Sequence, residues 1–228
     1  MPYLNCLRHV VVILALLLTG CAKTKYVSYS EGNGDISPFA RTVAFEIDRQ
    51  LYVELPNCVV VMPPVAVEGL NSYPDKVESA LSHHLTKKIS RIISPTERDL
   101  AINQMSVDLS KEADRNQFFR GVDCDTYLAA SIIGPGRNYL IVWSQVQIGV
   151  DAKLVRAHDG VVLWQARHIA KRSDGGLPLS PVGAVLDAFW STNFSADKEV
   201  DDSVVDDAVR RLVASLPDLR TYPRQARQ

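Results

Sequence analysis

Four thiols, Cys6, Cys21, Cys58 and Cys124, are the most reactive side chains in the sequence. A thiolate can be alkylated, oxidised to a bridge or bound to a metal. The five histidines offer little convergent chemistry. His83 and His84 are consecutive, so on a helix they point about 100° apart and cannot share an ion as an i, i+4 pair can. His158 falls in a turn and His168 on a strand, so no zinc site is expected. Asp197, Glu199, Asp201, Asp202, Asp206 and Asp207 match a calcium loop in composition only. Asp202 stands where the bending glycine of an EF-hand belongs. These carboxylates are expected to favour the positive end of the last helix, with cation binding as the lesser reading. The sequence holds no G-x-S-x-G elbow and no G-x-x-x-x-G-K-[ST] phosphate loop. Gly134-Pro135-Gly136 lacks the third glycine of a dinucleotide fingerprint and leads into a strand. No catalytic residue, metal or cofactor is therefore assigned.

The surroundings of Cys21 are specific. Arg8 and His9 precede the apolar run from Val10 to Leu18, which is shorter than the roughly 20 residues of a bilayer span and fits a signal-peptide core. Leu18-Thr19-Gly20-Cys21 then resembles the bacterial lipobox, in which the thiol receives a diacylglyceryl group and becomes residue one of the mature chain. Two or three acyl chains, at about 0.8 kcal/mol per buried methylene, anchor a protein durably where one would not. Residues 1–20 are thus read as a lipoprotein signal peptide. Ala22 and Lys23 follow, with no Asp after the cysteine. By resemblance to enterobacterial sorting, this implies the outer membrane, facing the periplasm, with cell-surface exposure as the other orientation.

With Cys6 discarded and Cys21 acylated, Cys58 and Cys124 remain in an oxidising compartment. Each lies just before an expected strand. A disulfide between them would contribute on the order of 4 kcal/mol by loop-closure entropy. The other reading is two buried free thiols.

The elements that must position these groups follow from patterning. Residues 21–38 are polar without periodicity and are read as a lipidated N-terminus and flexible tether spanning roughly 23 Å. Residues 39–219 are expected to form one domain, and 220–228 a tail. Cys58-Val-Val-Val-Met62 suits a buried strand stopped by Pro63-Pro64. Ser72 and Pro74 open a helix carrying Val77, Leu81, Leu85 and Ile89. Ile92 and Ile93 form a second strand. Thr96 is expected to cap a helix to Met105, and another helix covers about 111–120. A strand from Tyr127 to Ile133 follows. Val146, Ile148, Val150, Ala152 and Leu154 then alternate with polar neighbours in a long half-buried strand, and His158-Asp159-Gly160 turns it into a return strand from Val161 to Ile169. A short apolar helix is expected from Val182 to Trp190, and an amphipathic one from Val204 to Leu216. The fold class is α/β: one domain with a mixed sheet, parallel strand–helix units first and an antiparallel hairpin later, covered by helices. Phe189, Trp190 and Phe194 are read as core or as an aromatic partner or dimer contact.

With 228 residues, 46% hydrophobic, 22% charged and net charge −1, the chain is neither disordered nor basic enough for a dedicated nucleic-acid binder. Four stretches carry a resemblance to a known family. These are the lipobox; Val59-Val-Val-Met62-Pro-Pro with Pro95-Thr-Glu-Arg-Asp99; Asp123-Cys-Asp125 before the Tyr127 strand, with Tyr139 opening the next pair; and Leu154-Val-Arg-Ala-His-Asp-Gly160-Val-Val-Leu-Trp164. From about Cys58 to Leu216 the chain resembles bacterial outer-membrane lipoproteins of unknown function, a group that includes a neisserial surface vaccine antigen. Cys124 stands where that family carries alanine. The resemblance implies a fold like the N-terminal domain of the periplasmic protein TolB and the curli-secretion lipoprotein. It also implies a non-enzymatic accessory or scaffold role in envelope assembly or transport, with an unidentified envelope protein as partner and homodimers known among relatives. A binding protein for a small envelope ligand, using strand-end loops such as Gly134 to Asn138, is the alternative, and an enzyme with a spatially assembled site comes third.

Overall fold

The computed structural model describes residues 24–30, 42–66, 70, 72–133, 137–140, 143–174 and 198–222. Among them nine strands form one sheet, ordered β1-β2-β9-β8-β6-β3-β5. The strands are β1 (Lys25–Ser28), β2 (Thr42–Ile47), β3 (Cys58–Val61), β4 (Val65–Ala66), β5 (Arg91–Ile93), β6 (Thr126–Ile133), β7 (Arg137–Leu140), β8 (Trp143–Arg156) and β9 (Val162–Asp174). The short β4 follows β3 along the same edge of β6, and β7 pairs with β8. The helices are α1 (Gln50–Val53), α2 (Pro74–Leu85), α3 (Pro95–Met105), α4 (Glu112–Gly121) and α5 (Lys198–Ala214). The expected α/β class with a mixed sheet is what the chain forms. β3 runs parallel to β5 and β6, whereas β6, β8, β9 and β2 pair antiparallel.

Side-chain alternation sorts the strands into layers. Val59 and Val61 join the larger core with Leu81 and Leu85 of α2 and Val209 and Leu212 of α5. Cys58 and Val60 point the other way, into a smaller core with Phe118 and Phe119 of α4 and Cys124. β3 is therefore covered on both faces, which explains its unbroken apolar run. β8 contributes Ile148, Val150, Ala152 and Leu154 to the larger core, while Lys153 on its other face is exposed. Trp164 is buried across from Leu154, and its Nε1 donates to Ser215 Oγ at 3.2 Å.

Several boundaries differ from the sequence reading. Lys25–Ser28, within the stretch read as a tether, form β1 beside β2, because Thr24–Tyr29 have partners that composition does not reveal. Arg211 bonds Thr24 Oγ1, and Tyr29 Oη donates to Asp151 at 2.7 Å. The cap of α3 is Ser94, whose Oγ accepts from Glu97 N at 3.3 Å, rather than Thr96; Pro95 takes the first helical position, where a missing N–H costs nothing. The helix expected from Val182 to Trp190, with Phe189, Trp190 and Phe194, lies outside the described residues, as do residues 1–20 and Cys21.

Candidate functional site

Cys58 opens β3, and Cys124 lies two residues before β6. The parallel pairing of Val60 with Tyr127 brings the two cysteines to the same end of the sheet. Their Cα atoms stand 5.6 Å apart and the sulfurs are bonded. Local geometry makes this approach: α4 ends at Val122, whose N–H returns to Phe118 O, and Asp123 takes φ 49. That left-handed conformation suits Asp, Asn or Gly and reverses the chain toward β3. Cys124 N then donates to Phe119 O at 3.1 Å, and the Thr126 hydroxyl donates to Cys58 O.

Around this bridge lies an open cleft of about 920 Å³. Its floor is the buried disulfide with Phe119 and Ala157. Asn116 and Arg120, one turn apart on α4, line one wall; Arg91 and Ser90 of the β5 entry line another. Asp123, Asp125 and His158 complete the rim. Arg91 is paired at long range with Glu97, at 3.6 Å. The cleft therefore offers two guanidinium groups, an exposed imidazole, two carboxylates and amides over an apolar floor. Such a set matches a polar ligand or partner surface of mixed sign, with the forked arginines suited to a carboxylate or phosphate. Both sulfurs are spent on each other.

The hairpin turn beside the cleft is held rigidly. Gly160 has φ +74, which a side chain would strain. Ala157 N donates to Asp125 O at 2.6 Å, tying the turn to the start of β6. Arg156 donates from Nε and Nη2 to Asp159, at 3.0 and 2.6 Å, and from Nη1 to Glu54 at 2.9 Å. The Arg156 guanidinium holds the Asp159 carboxyl down at about 2.

The remaining sequence candidates are placed apart from one another. His84 is buried and bonded to Asp206 at 2.8 Å, while His83 is exposed. His168 sits in the core, its Nδ1 2.8 Å from Thr42 O. The acidic stretch is used in ion pairs along α5 rather than only at its start: Asp202 with Lys76, and Asp207 with Arg211 at 2.7 Å. Among the described residues no three His, Cys, Asp or Glu side chains are grouped to hold a metal. Of the Gly134–Asn138 loop, Arg137 and Asn138 fall in β7, at the other end of β6 from the cleft. The cleft residues Asn57, Arg91, Asn116 and Arg120 carry no sequence signal; Cys58, His158 and the Asp123-Cys-Asp125 motif are the lining residues that the sequence singles out.

No family model matches this sequence, and no curated protein sequence matches it. Solved structures do overlap in part. The PelC dodecamer from Paraburkholderia phytofirmans is 15% identical, covering 75% of this chain and 96% of that one, with a TM-score of 0.42. Lipoprotein GNA1162 from Neisseria meningitidis is 15% identical, covering 62% of this chain and 100% of that one, with a TM-score of 0.42. The LpoB C-terminal domain from Salmonella enterica is 14% identical over 50% of this chain and 82% of that one, with a TM-score of 0.33. Bacterial lipoproteins are thus among the overlapping structures, at a distance where no function passes with the likeness.

Proposed function

We propose that this chain is a lipid-anchored envelope protein without enzymatic activity, which presents the cleft around Cys58–Cys124 to a protein partner as an accessory or scaffold in envelope assembly or transport. The observation that carries the reading is Leu18-Thr19-Gly20-Cys21 set directly before a folded sheet, whose first described residue, Thr24, is bonded by Arg211. Acylation at Cys21 would make the anchor, and the sheet would begin almost at once. Ala22 and Lys23 support the outer membrane, with the body facing the periplasm. Among the described residues no helix is long and apolar enough to cross a membrane. A second copy of the chain is one candidate partner.

The test combines anchor and partner. Cys21→Ser should abolish the acyl mass increment and release the protein from the detergent phase. In the anchored protein, p-benzoylphenylalanine in place of Asn116 should capture a specific envelope protein, and R91E/R120E should abolish that capture. An unacylated, membrane-free native chain defeats the anchor. An anchored chain that captures no protein defeats the scaffold and favours the second reading, a small envelope ligand in the cleft. The cleft's volume of about 920 Å³, within the usual range for ligand sites, supports that reading. Native mass spectrometry of membrane-extracted protein would reveal such a ligand as an added mass.

A further inference from the structure

Strand register assigns directions to the two ends of the sheet. β2 begins at Thr42, beside Lys25 of β1. Val43 lies opposite His168, so β9 passes the start of β2 at about Ile169 and continues to Asp174. On its other side Ile169 pairs with Gly149, where β6 also ends at Ile133. Beyond that level, among the described residues, only the strands β7, β8 and β9 continue. They form a three-stranded arm closed by the pairs Leu140–Trp143 and Ser144–Asp174. Five residues of β9 past Ile169, at about 3.3 Å each, carry the arm about 17 Å past the start of β2.

The N-terminal chain leaves the sheet in the same direction. β1 is parallel to β2 and β2 antiparallel to β9, so going back from Lys25 toward Cys21 is the direction in which β9 runs forward. Four residue steps separate Cys21 from Lys25, the partner of Thr42, a reach of about 14 Å. That reach is shorter than the arm. α5 adds to the same picture. Ser215 lies at Trp164 and Arg211 at Thr24, so the helix begins at the arm end and runs away from it.

We propose that the β7–β8–β9 arm is a second membrane contact, resting its end in the headgroup layer of the leaflet that holds the Cys21 acyl chains. The proposal rests on the anchor reading above. A tether shorter than the arm brings the arm end to the bilayer whenever the sheet stands on that end. The residues at its last register positions are of the interfacial type: Tyr139, Leu140 and Trp143, with Lys171 and Arg172 on the adjoining stretch of β9. Lys25 is exposed where the chain departs. The cleft around the disulfide is then at the far end, facing the aqueous compartment, since β6 starts there opposite Arg156.

The test uses the full-length acylated protein in native membranes, with p-benzoylphenylalanine in place of Trp143 in one variant, Ser144 in a second and His158 in a third. Irradiation should give phospholipid adducts at 143 or 144, at least ten times the yield at 158. The protease resistance of the folded core is compared across the variants, and the second arm position guards against a single substitution that disturbs the strand. Equal yields at both ends, or no lipid adduct at either arm position in folded, acylated, membrane-bound protein, overturn the arm contact while leaving the anchor intact. Absence of the acyl mass in the untreated protein overturns the anchor and the arm together.

Discussion

The two halves of the sheet are built on different terms. β3 and the start of β6 are covered on both faces, with β5 beside them, and β3 is short and apolar throughout: Cys58–Val61 is entirely buried. Among the described residues β8 and β9 are covered on one face only, by α5, and their strands are long, with β2 beside them. On the open face, order comes from polar contacts. Arg167 donates to Asp151 from Nε at 2.8 Å and lies over the Tyr29 ring, 5.1 Å from its centroid. Burial together with the neighbouring Asp151 pushes the Tyr29 hydroxyl up to about 12, so it stays a donor at all physiological pH. The doubly covered half gains rigidity from apolar burial and a cross-link, and the cleft sits there. The singly covered half gains length, which is what an arm requires.

The largest effect should come from unlinking the doubly covered half. The Cys58–Cys124 bridge closes a sequence separation of 66, and in terms of loop-closure entropy its removal should cost about 4 kcal/mol. C58A/C124A is expected to lower the urea midpoint accordingly, and wild-type protein under reductant should follow it. A midpoint unchanged in both would mean that β3 and β6 hold this end of the sheet without the bridge, and the contrast between the halves would lose its main support.

Next is the ion pair that joins the two helical layers around the end of β3. Arg98, only 4% exposed, bonds Glu78 of α2 and donates to Val61 O at 2.7 Å. Arg98→Ala leaves a buried carboxylate and a buried carbonyl unpaired and should cost about 3 kcal/mol. Arg98→Met with Glu78→Leu should recover much of that loss, because the charge and its partner leave together. Equilibrium unfolding of the single and double variants measures the difference.

A sharper comparison needs one substitution in each half. Val60 is fully buried on the face of β3 that packs against α4, and Val60→Ala should cost about 2 kcal/mol. Lys153 stands exposed on the open face of β8, and Lys153→Ala should change stability by less than about 0.5 kcal/mol. If the two values were similar, the open face would be covered in solution, and a second copy of the chain would be the first candidate, checked by sedimentation.

The same division explains what the sequence revealed. Two-face burial gives unbroken apolar runs and single-face burial gives alternation, so β3, β5, β6, β8 and β9 are legible from residue pattern alone. Pro74, Pro95 and the Asp159-Gly160 turn mark element ends through backbone chemistry. β1 was not legible, because it is an edge strand fixed by distant partners such as Arg211 and Asp151, and Lys-Tyr-Val-Ser carries no burial pattern of its own. The cleft was half legible. Cys58 and Cys124 stand out as thiols each set just before an apolar strand, whereas Arg91 and Arg120 become neighbours only when β5 and α4 are brought to the same sheet end. Nothing local to either arginine encodes that meeting.

The smallest expected effect is a pH dependence lodged in the singly covered half. His168 is buried under α5, and burial lowers its pKa below the ordinary 6.5. The carbonyl of Thr42 and the charge of Asp207 work against that shift, and Arg211 reinforces it. The unfolded chain, with an ordinary imidazole, therefore takes up its proton at higher pH than the folded chain does. Folding stability should be full above neutrality and fall as the pH drops through 6.5, levelling out below the folded-state pKa, where both states are protonated. His168→Gln keeps a donor near Thr42 O without a titrating ring, so its stability profile between pH 7 and 5 should be flatter than wild type. A slope that survives His168→Gln unchanged would show that the imidazole buried under α5 is not its source.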